Sequence, residues 1–359
     1  MKKILELCLS PDLGGLELFM VHCLEYFGKK TDTKVVVAPS TKLDNYIQTS
    51  KIYIKCNKLF PFVPAKQLAN IIDKEKIDIV HFHWSKDIVT VVLAKVMSKR
   101  KPKLIQTRNM TMTRFKDDFY HKWLYKHVDM MHAVTFQVKE QLEKFIPKEV
   151  RPKVEVVYMG TEVSEKPIRK NERLMQKYGI DDADFVVGIV GRIEEGKGQW
   201  IVIEALQHLP QNVKALIVGH TMDEAYLSEL KAKVRSLGLE SRVIFTGFTK
   251  EVHEHFGLCD VAVLATPRET FGLVVIEAMA NEVAVIATNN GGPLEIIEDG
   301  VDGLLFDRSV KDLALKIQLL YDDKELLAKI QKNARKTVLQ RFEKKTQLEK
   351  LYKVVVDES

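Results

Sequence analysis

Glu269 and Glu277 are separated by seven residues in the stretch E-T-F-G-L-V-V-I-E, with Gly272 just inside it and a helix-forming run behind. The spacing puts one carboxylate on a loop and the second about two helical turns further on. Between them lie the backbone N–H groups of Thr270, Phe271, Gly272 and Leu273. The first N–H groups of a helix lack intrahelical partners and the macrodipole is positive there, so such an end attracts a diphosphate. Ionised carboxylates only accept hydrogen bonds, which suits them to hydroxyl groups of a sugar or ribose. The chemistry on offer is that of holding a nucleotide-activated sugar.

A second group lies upstream. Gly191-Arg192-Ile193-Glu194-Glu195-Gly196-Lys197-Gly198 follows the apolar run 185–190. In an α/β sheet the carboxyl end of a strand is where ligands bind. Arg192 and Lys197 stand five residues apart on this glycine-rich loop and can converge on one diphosphate. There they would stabilise the charge that develops on a leaving nucleotide. No D-x-D-type pair is placed to hold Mg²⁺ between phosphates, so neither a metal nor another cofactor is expected.

Such groups need strands that end at them. Short apolar runs at 4–9, 34–38, 52–54, 79–82, 104–107, 130–134 and 154–158 read as buried strands, with amphipathic segments such as 16–26, 65–74 and 87–97 between them. The second half repeats the pattern at 185–190, 214–218, 243–246, 261–265, 283–287 and 303–306. The alternation predicts an α/β chain of two Rossmann-like halves, each a parallel sheet covered on both faces. The polar stretch 161–173 marks the join, which gives a first domain at 1–165 and a second at 166–339. A closing helix is expected near 342–356, polar on one face.

In the first half, Gly14 and Gly15 join the first strand to the first helix, where adjacent glycines let backbone approach a ligand and leave helix amides pointing outward. His81 and His83 end the run 79–82; they are binding candidates, and histidines satisfied at a strand end explain them equally well. The stretch from Arg114 to His127 (R-F-K-D-D-F-Y-H-K-W-L-Y-K-H) interleaves cations with aromatics, and 55–66 does so again with Leu59, Phe60 and Phe62. Such a face suits an anionic bilayer interface, with rings at headgroup level, although the same aromatics also suit a core. No nucleic-acid-binding motif accompanies them, so nucleic acid is not an expected partner.

Length and composition agree with this reading. The 359 residues are 46% hydrophobic, enough for two cores. Residues 1–165 hold 28 Lys and Arg against 19 Asp and Glu, whereas residues 166–359 hold 27 against 30, so the first half faces something anionic or is merely solubilised by its charge. Cys8, Cys23, Cys56 and Cys259 lack metal-ligand spacing and read as buried thiols of a reducing compartment. The run 4–9 is interrupted by Glu6 and stops at Pro11, as a first strand does and a signal peptide does not. No stretch approaches the ~20 apolar residues of a membrane span, so a cytoplasmic chain is expected.

Taken together, E-x7-E, G-R-x4-K-G and the early G-G-x-E segment resemble the retaining GT-B glycosyltransferases, in particular glycosyltransferase family 4 (group 1), which builds bacterial surface polysaccharides and glycolipids. The resemblance covers nearly the whole chain and is strongest at 186–306. It implies two Rossmann-like domains facing across a cleft, with the closing helix, about 340–359, returning to the first. It implies that Glu269 contacts the transferred sugar, that Glu277 contacts the nucleotide ribose, and that Arg192 and Lys197 bind the donor phosphates. Gly191, Gly219, Gly15 and the segment 243–248 would line the donor. Many relatives carry a His where this chain has Asn109, so Asn109, Arg108 and His83 are candidates for sugar or acceptor contacts. The implied activity is transfer of a hexose or N-acetylhexosamine, UDP-linked before GDP-linked, to a saccharide. A lipid-linked or lipopolysaccharide glycan at the inner face of the membrane is the implied acceptor. Two alternatives stay open: a sugar-nucleotide-binding protein of this fold without turnover, and a nucleotide-sugar epimerase.

Overall fold

The structure is a computed structural model and describes residues 2–55, 61–168 and 171–357. The chain divides into two compact units, Met1–Met159 with Lys345–Ser359 and Gly160–Lys344. The sequence reading places these joins at 165/166 and 339/340. Cys56 and much of the aromatic stretch 55–66 lie outside the described residues.

Unit one carries β1 (Ile4–Cys8), β2 (Thr33–Val37), β3 (Ile52–Tyr53), β4 (Ile79–Phe82), β5 (Lys103–Arg108), β6 (Met130–Ala133) and β7 (Lys153–Val156). They form one sheet in the order β3-β2-β1-β4-β5-β6-β7, parallel throughout. Parallel strands need crossover helices on both faces, and this is why β1 and β4 read as almost unbroken apolar runs. The exceptions are charged or polar and fully buried: Glu6 on β1, His81 on β4, Thr107 on β5 and His132 on β6. The helix Lys344–Asp357 closes unit one. Its Tyr352 meets the Phe27 ring edge-on at 5.3 Å, and its Glu349 accepts hydrogen bonds from Tyr26 and Lys30.

Unit two carries β8 (Phe185–Val190), β9 (Val213–Val218), β10 (Val243–Gly247), β11 (Val261–Leu264), β12 (Ala284–Thr288) and β13 (Leu304–Phe306), again all parallel, in the order β10-β9-β8-β11-β12-β13. Val187, Ile189, Val263 and Ile286 fill one continuous core with residues of the flanking helices. Order reverses at β8, so β8 and β11 are neighbours whose chains leave in opposite directions. Outside the carboxyl ends of such a pair a doubly wound sheet opens a crevice for ligands. Both groups singled out from sequence leave the sheet there, the Arg192 loop from β8 and the Glu269 loop from β11.

Four helix starts of unit two away from that crevice are closed by side chains. Asn171, Asp223, Ser309 and Asp323 each accept an N–H of their own first turn. Two helices that begin at the crevice, Gln199–Ala205 and Leu273–Ala280, are instead preceded by Gly198 and Gly272 in left-handed conformation, with no side-chain cap. Among the described residues, no helix is long and apolar enough to cross a membrane.

Candidate functional site

Four loops meet at the carboxyl edge of the unit-two sheet, and their approach is close enough to dictate glycine. A Cβ on Gly219, at the end of β9, would lie 1.9 Å from the Gly191 carbonyl oxygen, and Gly219 has a φ of +145°. A Cβ on Gly291 would lie 2.1 Å from the Glu269 carbonyl oxygen, at a φ of +73°. Gly292 then donates its N–H to that same oxygen at 2.9 Å. The Asn290-Gly291-Gly292 turn thus clamps the backbone of the Glu269 loop.

On this frame Lys197 and Glu269 come together, with Nζ 3.7 Å from Oε2. The other carboxylate oxygen, Oε1, accepts the Thr270 N–H at 3.1 Å. Arg192 points to solvent, its side chain 57% exposed, and touches only its near neighbour Glu194 at 3.4 Å. The loop carrying both cations is held by Gln199, which donates Nε2–H to the Arg192 carbonyl at 2.9 Å. Phe271 is buried with its ring edge-on to Phe342, so only its main chain is available to a ligand. Glu277 is half-buried one helix face away, and burial pushes its carboxyl up to about 7. Two polar atoms near these loops, Gln199 Oε1 and Thr266 Oγ1, are shielded from solvent without a hydrogen-bond partner. A site with two cations, a carboxylate and unspent polar atoms has the groups to hold a polyhydroxylated anion.

Unit one holds a different kind of arrangement. Glu6 faces His81 in register across β1 and β4, accepting from His81 Nδ1 at 2.9 Å and from His83 Nε2 at 2.7 Å. His81 Nε2 meets Thr107 Oγ1 at 2.7 Å, Thr107 meets His132 Nδ1 at 2.9 Å, and His132 Nε2 donates to the Val157 carbonyl at 2.7 Å. Burial alone would raise Glu6, but His81 and His83 hold it below the ordinary carboxylate range. Burial and the neighbouring His81 lower His83 to about 4, and burial lowers His132 to about 3. The candidate His83 is therefore 1% exposed and committed to Glu6. Cys23 lies beside His81 and His83 with ligand atoms within 4.8 Å, yet both ring nitrogens of His81 are already occupied by Glu6 and Thr107.

At the start of the first helix, Gly15 is exposed, but the Gly14 N–H is taken by Glu17 at 2.9 Å. Glu17 is buried and also accepts the Ser10 hydroxyl. Glu17 at the third helical position thus closes the N–H of Gly14, which precedes the helix, while no side chain caps the helix's own first amides. Arg108 turns back to its own loop, donating to the carbonyls of Met110 and Thr111. Asn109 differs: both polar atoms of its carboxamide are shielded and unpartnered. The basic-aromatic segment divides, with Leu124 and Tyr125 of helix Phe119–Lys126 in the core and Phe115, Phe119 and Tyr120 exposed.

Residues 170–337 match the family described as glycosyl transferases group 1, and residues 13–165 match glycosyltransferase family 4. The chain belongs to the group 1 glycosyltransferases. A capsular polysaccharide biosynthesis glycosyltransferase, CapM of Staphylococcus aureus, is 27% identical over 94% of this chain and 93% of its own. N-acetyl-alpha-D-glucosaminyl L-malate synthase of Bacillus anthracis is 28% identical over 77% of this chain and 74% of its own. Among solved structures, Anabaena HepE in complex with UDP-glucose superposes with a TM-score of 0.86 over the full length of both chains at 22% identity, a likeness in fold, which is GT-B.

For a glycosyltransferase of this group, acting on a nucleotide sugar, the unit-two crevice is the place where phosphate and hydroxyl chemistry coincide. Sequence reasoning left Gln199 out. Its signal was a polar residue directly after Gly198 in an otherwise apolar helix start, W-I-V-I following it. The Asn290-Gly291-Gly292 turn was visible as a glycine turn before a helix, but that its role is to clamp Glu269 depends on a contact across 22 residues of chain.

Proposed function

We propose that this chain transfers a hexose or N-acetylhexosamine from a UDP-sugar to a saccharide acceptor with retention of the anomeric configuration. The observation that carries the donor reading is the meeting of Lys197 and Glu269 at the reversal of strand order, 3.7 Å apart, beside the uncapped helix Leu273–Ala280. Lys197, Arg192 and the main-chain N–H groups of 270–273 hold the diphosphate. Glu269 accepts hydroxyls of the transferred sugar, and Glu277 accepts those of the ribose. Gly191 and Gly219 let the chain pass close beneath the nucleotide.

In the step itself the acceptor hydroxyl oxygen bonds to the anomeric carbon as the bond from that carbon to the diphosphate breaks. Attack is on the face the diphosphate leaves, and the leaving phosphate oxygen takes the acceptor's proton. Arg192 and Lys197 lower the barrier by stabilising charge on the leaving group; removal of one preorganised donor of this kind costs about 10²–10³ in rate. UDP is favoured because HepE, which shares the fold, was crystallised with UDP-glucose. An N-acetylhexosamine is in keeping with the name of the Bacillus anthracis relative, and a surface glycan with CapM.

The acceptor is held by unit one, with Asn109 and Arg108 the candidate contacts, and is a lipid-linked or lipopolysaccharide glycan at the cytoplasmic face of a membrane. Exposed Phe115, Phe119 and Tyr120 beside Arg114 and Lys126 support that reading. The test is a donor screen. UDP- and GDP-linked glucose, galactose, N-acetylglucosamine and mannose are offered to the wild type, Glu269→Ala and Lys197→Ala. Release of one nucleotide by the wild type, lost in both variants, is the expected result. Release that survives in Lys197→Ala would remove the proposed donor site.

A further inference from the structure

The two groups given to the donor's diphosphate, Lys197 and the Thr270 N–H, already hold an anion, and that anion is the Glu269 carboxylate. Oε1 takes the Thr270 N–H at 3.1 Å while Oε2 stands 3.7 Å from Lys197 Nζ. Neither side chain is free in solvent, with Glu269 21% and Lys197 28% exposed. The Glu269 backbone cannot withdraw, because Gly291 packs against its carbonyl and Gly292 bonds to it. Only the side chain can move.

We propose that Glu269 is a stand-in for the donor's diphosphate, and that it makes the site prefer a sugar-bearing nucleotide over the bare nucleoside diphosphate. This rests on the reading of Lys197 and the 270–273 amides as the phosphate site. A diphosphate that takes Lys197 and the Thr270 N–H must evict the carboxylate, which is then left beside a like charge without donors. A sugar nucleotide supplies new donors in the hydroxyls of its sugar. A bare nucleoside diphosphate supplies none, so the product is disfavoured as soon as the sugar has left. One residue thereby grips the sugar and helps to expel the spent nucleotide.

The experiment is calorimetric titration of UDP and UDP-glucose, with GDP and GDP-mannose as a second pair, into the wild type, Glu269→Gln and Lys197→Ala. Gln has nearly the same shape and no charge. For the pair that the wild type binds, Glu269→Gln should tighten the bare diphosphate about fivefold, the scale of one partly exposed ion pair released. It should not tighten the sugar nucleotide, so the ratio of the two Kd values shifts by at least that factor. Lys197→Ala weakens both ligands together. An unchanged ratio, or weaker UDP binding in Glu269→Gln, overturns the stand-in role and leaves the donor site intact. A wild type that binds no nucleotide overturns the donor reading itself, and the stand-in role with it. Should Glu269→Gln fail to fold, Glu269→Asp, which pulls the carboxylate back from Lys197, must shift the ratio in the same direction.

Discussion

Replacing Glu277 by Gln removes a carboxylate from a place that disfavours its charge. Burial carries this group from its ordinary 4.5 up to about 7, and burial is the sole cause. Between those values the folded chain keeps a proton that the unfolded chain has released. Stability therefore falls as pH rises through that window, and the penalty is complete above about pH 7. At about 1.4 kcal/mol per pH unit the penalty comes to about 3 kcal/mol. Gln has the same shape and never ionises, so Glu277→Gln should stabilise unit two by about 3 kcal/mol at pH 8 and by almost nothing at pH 4.5. Urea unfolding read from Trp200, in a background with Trp84 and Trp123 changed to Phe, follows unit two alone. On the proposed ribose contact the same variant also loses a charged acceptor and should bind UDP about tenfold more weakly, a trade of affinity for stability. A gain equal at both pH values, or no gain at pH 8, would refute the argument that an uncompensated buried charge is kept here for binding.

Unit one should answer pH in the opposite sense. His83 and His132 are lowered to about 4 and about 3, so the unfolded chain takes up protons first as pH falls below 6.5, and unit one loses stability between pH 6.5 and 4; Trp84 and Trp123 fluorescence in a Trp200→Phe background reads that loss. Gly219→Ala forces a Cβ to 1.9 Å from the Gly191 carbonyl oxygen, and should cost unit two more than about 3 kcal/mol in urea and abolish donor turnover. Asn109→Ala removes no hydrogen bond from the free protein, so its unfolding midpoint should stay within about 1 kcal/mol of wild type while transfer to acceptor falls at least about tenfold.

The fold was legible because parallel strands buried on both faces must be apolar nearly throughout. F-V-V-G-I-V at Phe185–Val190 and V-A-V-L at Val261–Leu264 can hardly be read otherwise. Boundaries moved by a residue: the run 283–287 is the strand Ala284–Thr288, since Val283 turns into the preceding loop through its bond to Ala278. The Glu6 network was not legible. Its members are distant in sequence, His81 lying 75 residues from Glu6, and only strand order and register set them side by side. Without them, His83 looks like a residue waiting for a ligand. Glu17 was visible in the G-G-x-E segment, but its capping role was not, because a capping box headed by glycine lacks the Ser or Thr that announces it. Arg192 and Lys197 were found by type and spacing, but that Lys197 faces Glu269 and Arg192 faces solvent is decided by loop geometry that neither motif contains.

The two units treat buried polarity in contrasting ways, and the contrast locates the work. In unit one Glu6 sits on a central strand, where an unpaired carboxylate would cost several kcal/mol. It is offset by two histidines; His81 is completed through Thr107, His132 and a carbonyl, while His83 keeps a shielded Nδ1 without a partner. Such a network stiffens a sheet and has little left to offer a ligand. At the unit-two crevice several groups are left incomplete. Glu277 has burial without a cation, Gln199 and Thr266 carry shielded oxygens without partners, and two helix starts are left to glycines. Glu269 accepts the N–H of its own neighbour Thr270, ahead of the helix. Each of these is a local loss, and losses of this kind persist where a bound molecule recovers them. A molecule that recovers them all must bring an anion for Lys197 and the amides together with hydroxyls for Glu269 and Glu277. A nucleotide sugar carries both, which is why we propose the donor site at the β8–β11 reversal and not in the histidine cluster that first draws the eye.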